Sequence, residues 1–489
     1  MSQPAVNIQM IDGALGTLPP GDKIHTAVGT ATSGPLNTPA AFARTKDVIA
    51  TFGAGPLVEY ACAYIETYKR PILLVRTGNS VVGLPGTLVT SVTGTSVVTL
   101  DTTAPNDDYE PYFIVTTGGT VGTAGIMFQW SLDGGRVLSP ITALGTANTF
   151  VFPGTGGLNI DFAAGTLIAG DRVSCRTTAP NWNATELADA LAALVGTTSN
   201  WREVHIVGPI DATAFDAIEL KMQALSSATK PKYWIGNARM PNVGESESAY
   251  RTVLQGIFSS KTTVFGDLCA GACKLTSSGP NPGRKYRRPA SWPIAAREGA
   301  VSDEIDTADV TLGALPGVSV RDANGNADEH DESLNPGLDD DRFTVLRTHD
   351  GYGGVYVNRP RLFSAPGSDF FLVPHIRVMN LARETLRVYF MGRLNKPVLV
   401  DSKSGFILEQ EALDIEDGAD GALRSVLMAV PKASGGGFEG GKFVSISRTD
   451  NLLSTRTLTG QGRIVPLAYV EFSNFDLGYF NPALQVQAA

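Results

Sequence analysis

Asp322, Asn324, Asn326 and Asp328 in the loop DANGNADE place oxygen donors at positions 1, 3, 5 and 7, the alternation a hard cation wants. Glycine falls at position 4 instead of 6, and Ser333 stands at position 12 where a bidentate glutamate would close the shell. The loop therefore reads as a solvated acidic turn. Cys269 and Cys273 in CAGAC have neither a second pair nor a nearby histidine, so packing or free thiols are expected before zinc. The histidines (His25, His205, His330, His349, His375) are scattered. His205 alone sits in an apolar strand, where a satisfied core histidine is expected before a general base. G-x-S-x-G, the P-loop, HExxH and a GxGxxG opening a helix are absent, so no catalytic, cofactor-binding or metal residue is assigned.

Two charge clusters remain. Arg284, Lys285, Arg287 and Arg288 surround Tyr286; inside a chain of net charge -9 they are expected to pair with an acidic protein surface, and nucleic acid is disfavoured. Glu409, Glu411, Asp414, Glu416, Asp417 and Asp420 share one stretch, read as the exposed face of a helix over 404–428 or as a contact for a basic partner.

The elements that must position these residues follow from periodicity. Leu57, Tyr60, Ala61, Tyr64, Ile65 and Tyr68 recur with helical spacing before the apolar strand PILLV. Residues 79–180 hold short apolar runs divided by PNDD, TGG, LDGG and PGTGG, which predicts an all-β insert of sandwich or barrel type, with SLDGGR as a tight hairpin. Helix and strand then alternate: a helix capped by Thr185, REVHIVG, DATAFDAIELKMQALSSAT, KYWIG, a helix over 245–258 and TTVFGDL. Residues 279–342, rich in Gly, Pro, Asp and Asn, read as long loops; helices over 373–393 and 404–428 precede strands in KFVSISR and RIVPLAYVEF. At the ends, Val6, Ile8 and Met10, and again Leu484 and Val486, alternate with polar residues as extended arms do.

The fold class is thus α/β (α+β), with a body of residues 21–78 and 181–365, an inserted all-β domain at 79–180, a C-terminal α+β domain at 366–480 and arms at 1–20 and 481–489. Composition agrees: 43% hydrophobic residues in 489 support sizeable cores, and 53 Gly with 29 Pro mark a turn-rich chain. Only 18% of residues are charged, as expected where much surface is covered by partners, although Gly, Thr and Ala dilute charge equally well. No run is long and apolar enough to span a bilayer, the N-terminal residues lack the pattern of a secretory signal, and four cysteines are expected as thiols in a reducing compartment.

In this order of features the sequence resembles the contractile phage tail sheath proteins. The resemblance covers most of the chain and rests on GPLVEYACAYIETYKRPILLVRTG, PGLDDDRFTVLRTHDGYGGVYVNRP and GSDFFLVPHIRVMNLARETL, the parts around GSDF, RVMNLA and DGYGGVYVN being the most specific. It implies a non-enzymatic virion component assembled in the host bacterial cytoplasm, without cofactor. Copies would polymerise as stacked hexameric rings around a tail tube, meet baseplate and tail terminator proteins, and contract to drive the tube through a bacterial envelope. It also implies that Val6, Ile8, Met10, Leu484 and Val486 add strands to neighbouring copies, that the β insert faces outward, and that Glu409, Glu411, Asp414, Glu416, Asp417 and Asp420 face the tube. The competing reading is a virion or cell-surface carbohydrate-binding or hydrolytic protein whose β insert binds and whose carboxylates act in a cleft.

Overall fold

The computed structural model describes residues 23–478 apart from 102, 198 and 323, so the arm residues Val6, Ile8, Met10, Leu484 and Val486 lie outside the described residues. The chain divides into two compact units at Arg387/Val388, inside a helix.

The first unit is built on a six-stranded sheet in the order Gly266–Cys269, Tyr233–Asn237, Trp201–Pro209, Ile24–Gly29, Ile72–Arg76, Ala40–Phe42. The first five strands are parallel and Ala40–Phe42 closes the edge antiparallel. Strands with helices on both faces are shut off from solvent, and Ile24–Gly29, Tyr233–Asn237 and Gly266–Cys269 are buried along their whole length. Periodicity does not single out Ile24–Gly29, because His25 and Thr26 interrupt its apolar run, yet it lies at the sheet centre.

On one face, α1 (Thr45–Phe52) and α2 (Pro56–Tyr68) pack into a core with Leu57, Tyr60, Tyr64 and Ile72. Pro56 begins α2 where its missing N–H costs nothing, and Lys69 ends it in the left-handed region. On the other face lie α3 (Ala184–Gly196), α4 (Ala212–Ser227) and α5 (Glu247–Phe258), around Leu187, Phe215, Trp234 and Phe258. The cap of α3 is Asn183 and not Thr185: its side chain accepts from Glu186 N–H while Glu186 reaches back to the Asn183 N–H, a reciprocal capping box.

The stretch read as loop, 279–342, contains the strand Lys285–Pro289 and α6 (Ser291–Ala300). The helix α6 is buried on every side from Ser291 to Gly299, so it has no amphipathic stripe to betray it. Its polar residues find partners inside: Arg297 donates to Ala314 O at 2.8 Å, and Tyr233 Oη donates to Glu298 at 3.2 Å. α7 (Val373–Met391) begins in this unit, where Arg377 donates to the Ser302, Asp303 and Ile305 carbonyls and Glu384 pairs with Lys23 and Lys232.

Between Arg76 and Ala184 no helix occurs among the described residues. A five-stranded antiparallel sheet (Thr142–Ala143, Met127–Ser131, Tyr112–Thr117, Arg172–Ser174, Val89–Ser91) and a three-stranded one (Thr149–Val151, Asn159–Phe162, Val98–Leu100) share a core of aromatic rings. Phe113 stacks on Phe128 at 4.5 Å, and Phe150 meets Phe128 edge-on at 4.7 Å. SLDGGR does not make the tight hairpin: Met127–Ser131 pairs with Thr142–Ala143 across residues 132–141, and buried Asp133 accepts from Val137 N–H to hold a wider turn. The chain enters and leaves the segment side by side, with Val81 bridging Asn181 and Leu84–Pro85 pairing with Thr177–Thr178.

The basic cluster finds its acidic surface within the chain. Arg288, fully buried, contacts Glu59 of α2 and Asp107 of the β segment (3.2 Å) and donates to Asp108 O at 2.7 Å. Tyr286 joins the aromatic core of the β segment, and Arg287 pairs with Glu329 at 2.7 Å. Buried Lys274 bridges Glu110 (2.7 Å) and Glu329 (3.5 Å). Two paired strands of the body, Ala272–Thr276 and Lys285–Pro289, thus carry cations with counter-charges inside the β segment. Cutting out residues 80–180 would leave Arg288 and Lys274 short of partners, so the body is not electrostatically self-sufficient.

Breaking a buried pair by removing one partner costs about 3–5 kcal/mol, whereas replacing all members with apolar or neutral groups is far cheaper. The expected outcome for Arg288→Met is therefore a loss of that order in urea unfolding. Adding Glu59→Gln and Asp107→Asn should recover most of it; a triple variant no more stable than the single one would show that Arg288 acts through shape and not charge.

Candidate functional site

The residues with catalytic chemistry are placed where they act on the fold. His25 lies between Glu203 Oε1 and Tyr60 Oη, both at 2.6 Å, and Arg202 pairs with the same carboxylate at 2.5 Å. Tyr60, His25 and Glu203 are 1%, 2% and 0% exposed, so this relay lies within the core. Burial works against the Glu203 carboxylate, but Arg202 and His25 hold it below the usual range. His205 faces Ser291 Oγ at 3.1 Å, and burial pushes its pKa well below the ordinary value, fixing it neutral. Cys269 and Cys273 are buried, and burial raises both thiols. Cys62 and Cys175 are pushed up to about 12 by the same cause. In DANGNADE, Asp322 accepts the N–H groups of Asn324 and Asn326 at 2.8 Å each, and Asp328 pairs with Arg136 at 2.7 Å. Both carboxylates are engaged within the fold.

His330 is the titratable group with the clearest consequence. Its ring nitrogens meet Glu247 at 2.8 Å and Glu332 at 3.0 Å. Burial opposes protonation, but the two carboxylates outweigh it and hold the pKa at about 9. A raised folded-state pKa stabilises the fold fully below the unfolded value near 6.5, and the contribution fades as pH rises through about 9. Unfolding measured from pH 6 to 10 should show a loss of stability between about 6.5 and 9 that is absent in His330→Gln; identical profiles would contradict the assignment.

The second unit is organised around α8 (Glu409–Leu427), which starts later than the expected 404. Its six carboxylates do not form one exposed row. Glu416 and Asp420 are buried: Glu416 accepts Ile446 N–H at 2.7 Å and contacts Arg448, while Asp420 accepts Phe443 N–H at 2.7 Å and pairs with Arg424 at 2.5 Å. These acceptors pin α8 to the pair of strands Val444–Ile446 and Gly460–Gly462. Glu409 pairs with Arg448 at 3.0 Å and Asp417 with Lys442 at 2.8 Å. Asp414 accepts from Gln410 at 3.2 Å, and Glu411 stands in the first turn of the helix. Glu416 and Asp420 are therefore buried where the sequence predicts an exposed face. Ala412, Ile415, Glu416, Ala419, Asp420 and Leu423 fall on one helical stripe, but spacing does not reveal the strand N–H groups that let the two carboxylates lie buried there.

The strand expected through RIVPLAYVEF stops at Pro466, after pairing with Ala433–Gly436. Beyond it, residues 467–478 adopt neither helix nor strand. Val470, Phe472, Phe475 and Leu477 there are 83%, 78%, 90% and 101% exposed. Sequence reasoning places the C-terminal contact at Leu484 and Val486 and misses these four, although apolar and polar residues alternate at 470–472 and again at 475–477. Such a concentration of open apolar surface is the mark of an interaction segment.

The family description "DUF2586, N-terminal domain" matches residues 3–361. The chain belongs to this family. Comparison with curated proteins gives no match. Among solved structures, the chain is similar to the sheath complex of PVC, an extracellular contractile injection system, in its contracted state: TM-score 0.53 and 11% identity, with 99% of each chain covered. It is also similar to a chain of the anti-feeding prophage baseplate, with TM-score 0.50, 12% identity and coverage of 98% of this chain and 100% of that one. A sheath tail protein from Listeria innocua aligns with TM-score 0.46 and 12% identity over 92% of this chain and 96% of its own. The DUF2586 chain has the mixed α/β fold of contractile-sheath proteins, at a sequence divergence where only the fold follows. Among its described residues no helix is long and apolar enough to cross a membrane.

Proposed function

We propose that this chain is the structural subunit of a contractile sheath, polymerising as stacked hexameric rings around a tail tube and shortening to drive that tube through a bacterial envelope. The observation that carries the reading is end-to-end similarity to a sheath subunit from a contracted injection system, covering 99% of both chains. Its partners are then copies of itself, the tube, a baseplate and a terminator, and its place is a virion tail or injection particle assembled in the bacterial cytoplasm. The histidines, cysteines and charged clusters support a non-enzymatic role, since those described above are engaged in packing and ion pairs.

The arms supply the linkage. Val6, Ile8 and Met10, with Leu484 and Val486, add strands to neighbouring copies, and the open segment 470–477 lies on the path to the C-terminal strand. Backbone ladders contribute about 0.5–1.5 kcal/mol per hydrogen bond and tolerate rotation of the bodies they join. Negative-stain microscopy of the purified protein should show tubes, and removal of residues 467–489 should abolish them while leaving the far-UV spectrum of a folded chain. Discrete particles from the intact protein at high concentration would sink the sheath reading.

Glu411 and Asp414 are the carboxylates of α8 best placed to face the tube, with Glu409 and Asp417 reaching it only as members of ion pairs. Exposed charges contribute about 0–1 kcal/mol each, multiplied by repetition around a ring. Glu411→Gln with Asp414→Asn should weaken co-sedimentation with purified tube and flatten its salt dependence, with sheath assembly unchanged. Unaltered binding across a salt series would remove α8 from the tube contact.

A further inference from the structure

Two stretches of the second unit each gather four open apolar side chains. At the end of α7 and just after it, Val388, Met391, Leu394 and Leu399 are 68%, 54%, 70% and 66% exposed. The charged residues among them, Arg393 and Lys396, are both basic. Along 470–477 the four exposed apolar side chains are interleaved with Glu471 and Asp476, both acidic. The two surfaces match in character and oppose in charge.

Several other cations of the unit are already committed. Arg424, Lys442 and Arg448 hold the carboxylates of α8, and Arg463 lies over the Phe438 ring at 4.8 Å. Arg393 and Lys396 are the pair set among four open apolar side chains. Arg393 lies over Tyr389 at 5.2 Å, a contact that orients its guanidinium without neutralising it. Since both surfaces are open in one chain, the chain does not cover itself, and the partner that carries the complementary surface in equal number is a second copy.

We infer that residues 470–477 of one copy seat on the 388–399 surface of a second copy, with Phe472 and Phe475 over Met391 and Leu394 and Asp476 toward Arg393 and Lys396. This rests on the sheath reading, and it names the receptor for the segment leading to the C-terminal arm. The contact is made by side chains, so it is separable from the backbone ladder of the arm itself. Its apolar part persists in salt, while its charged rim sets the register of docking.

The test uses the full chain with a photo-crosslinking benzoylphenylalanine at Phe472, assembled from a mixture of isotope-labelled and unlabelled copies. Irradiation followed by mass spectrometry should give mixed-isotope cross-links ending within 388–399. Arg393→Glu with Lys396→Glu should lower their yield several-fold, and Asp476→Lys in the same chain should restore much of it. Mixed-isotope cross-links ending elsewhere, for example on 444–462, would overturn this seat and leave the sheath reading intact. Cross-links confined to single copies would overturn the inter-copy contact. Failure of the unsubstituted chain to form polymers would overturn the sheath reading and this inference with it.

Discussion

A buried guanidinium shared by two carboxylates ties the first unit together. Arg288 sits on a strand flanking the parallel-sheet body, Glu59 comes from α2, and Asp107 comes from the β segment. None of the three can be solvated in place, so the body and the β segment are electrostatically complete only together. Burial raises the Asp107 carboxyl well above its ordinary value, and Arg288 pulls it back. Around this point, Lys274, Arg287, Glu110 and Glu329 extend the same pairing, and Tyr286 plugs into the aromatic core. An apolar seam could slide or re-pack; a buried charge has far fewer acceptable positions. The β segment is therefore held in a fixed attitude on the body.

How much of this was legible depended on whether a residue's role was local. The strand Ile72–Arg76 and the helices α2, α4 and α5 announce themselves through apolar runs, spacing and caps. The helix α6 does not, because a helix buried all round shows no stripe, and its proline and polar residues imitate a loop. Arg284 to Arg288 read as seeking acidic partners, but the partners are as distant in sequence as Glu59, and no spacing rule connects them. On α8 the helix is visible while the fate of its carboxylates is not. Glu416 and Asp420 look like surface charges until the strands whose N–H groups they accept are in place.

At the C-terminus, alternation and open apolar surface fall on different residues. The alternation at Leu484 and Val486 lies outside the described residues, whereas the large apolar surface the structure leaves open lies earlier, from Val470. The reason is physical: RIVPLAYVEF reads as one strand, and only the fold reveals that its ladder ends at Pro466. A strand pattern without a partner in its own chain is a different object from a strand, and sequence alone cannot separate them.

On the proposed sheath reading, the two units divide two mechanical tasks. Within the first, charges are buried and paired, a bonding type that costs several kcal/mol to break one member at a time and that favours one geometry. In the second, α8 and its strands consume most of the local charge, and what remains open at 470–477 is large and apolar. Burying each of those four side chains is worth about 1.5–3 kcal/mol, a non-directional gain that survives small rotations of the surfaces involved. A polymer that must change shape without coming apart needs that combination. Stiffness belongs inside the subunit, where misalignment would waste the stroke, and tolerance belongs at the joints, where the angle between neighbours changes. On that reading the buried pairs around Arg288 give the stiffness and the apolar C-terminal segment gives the tolerance.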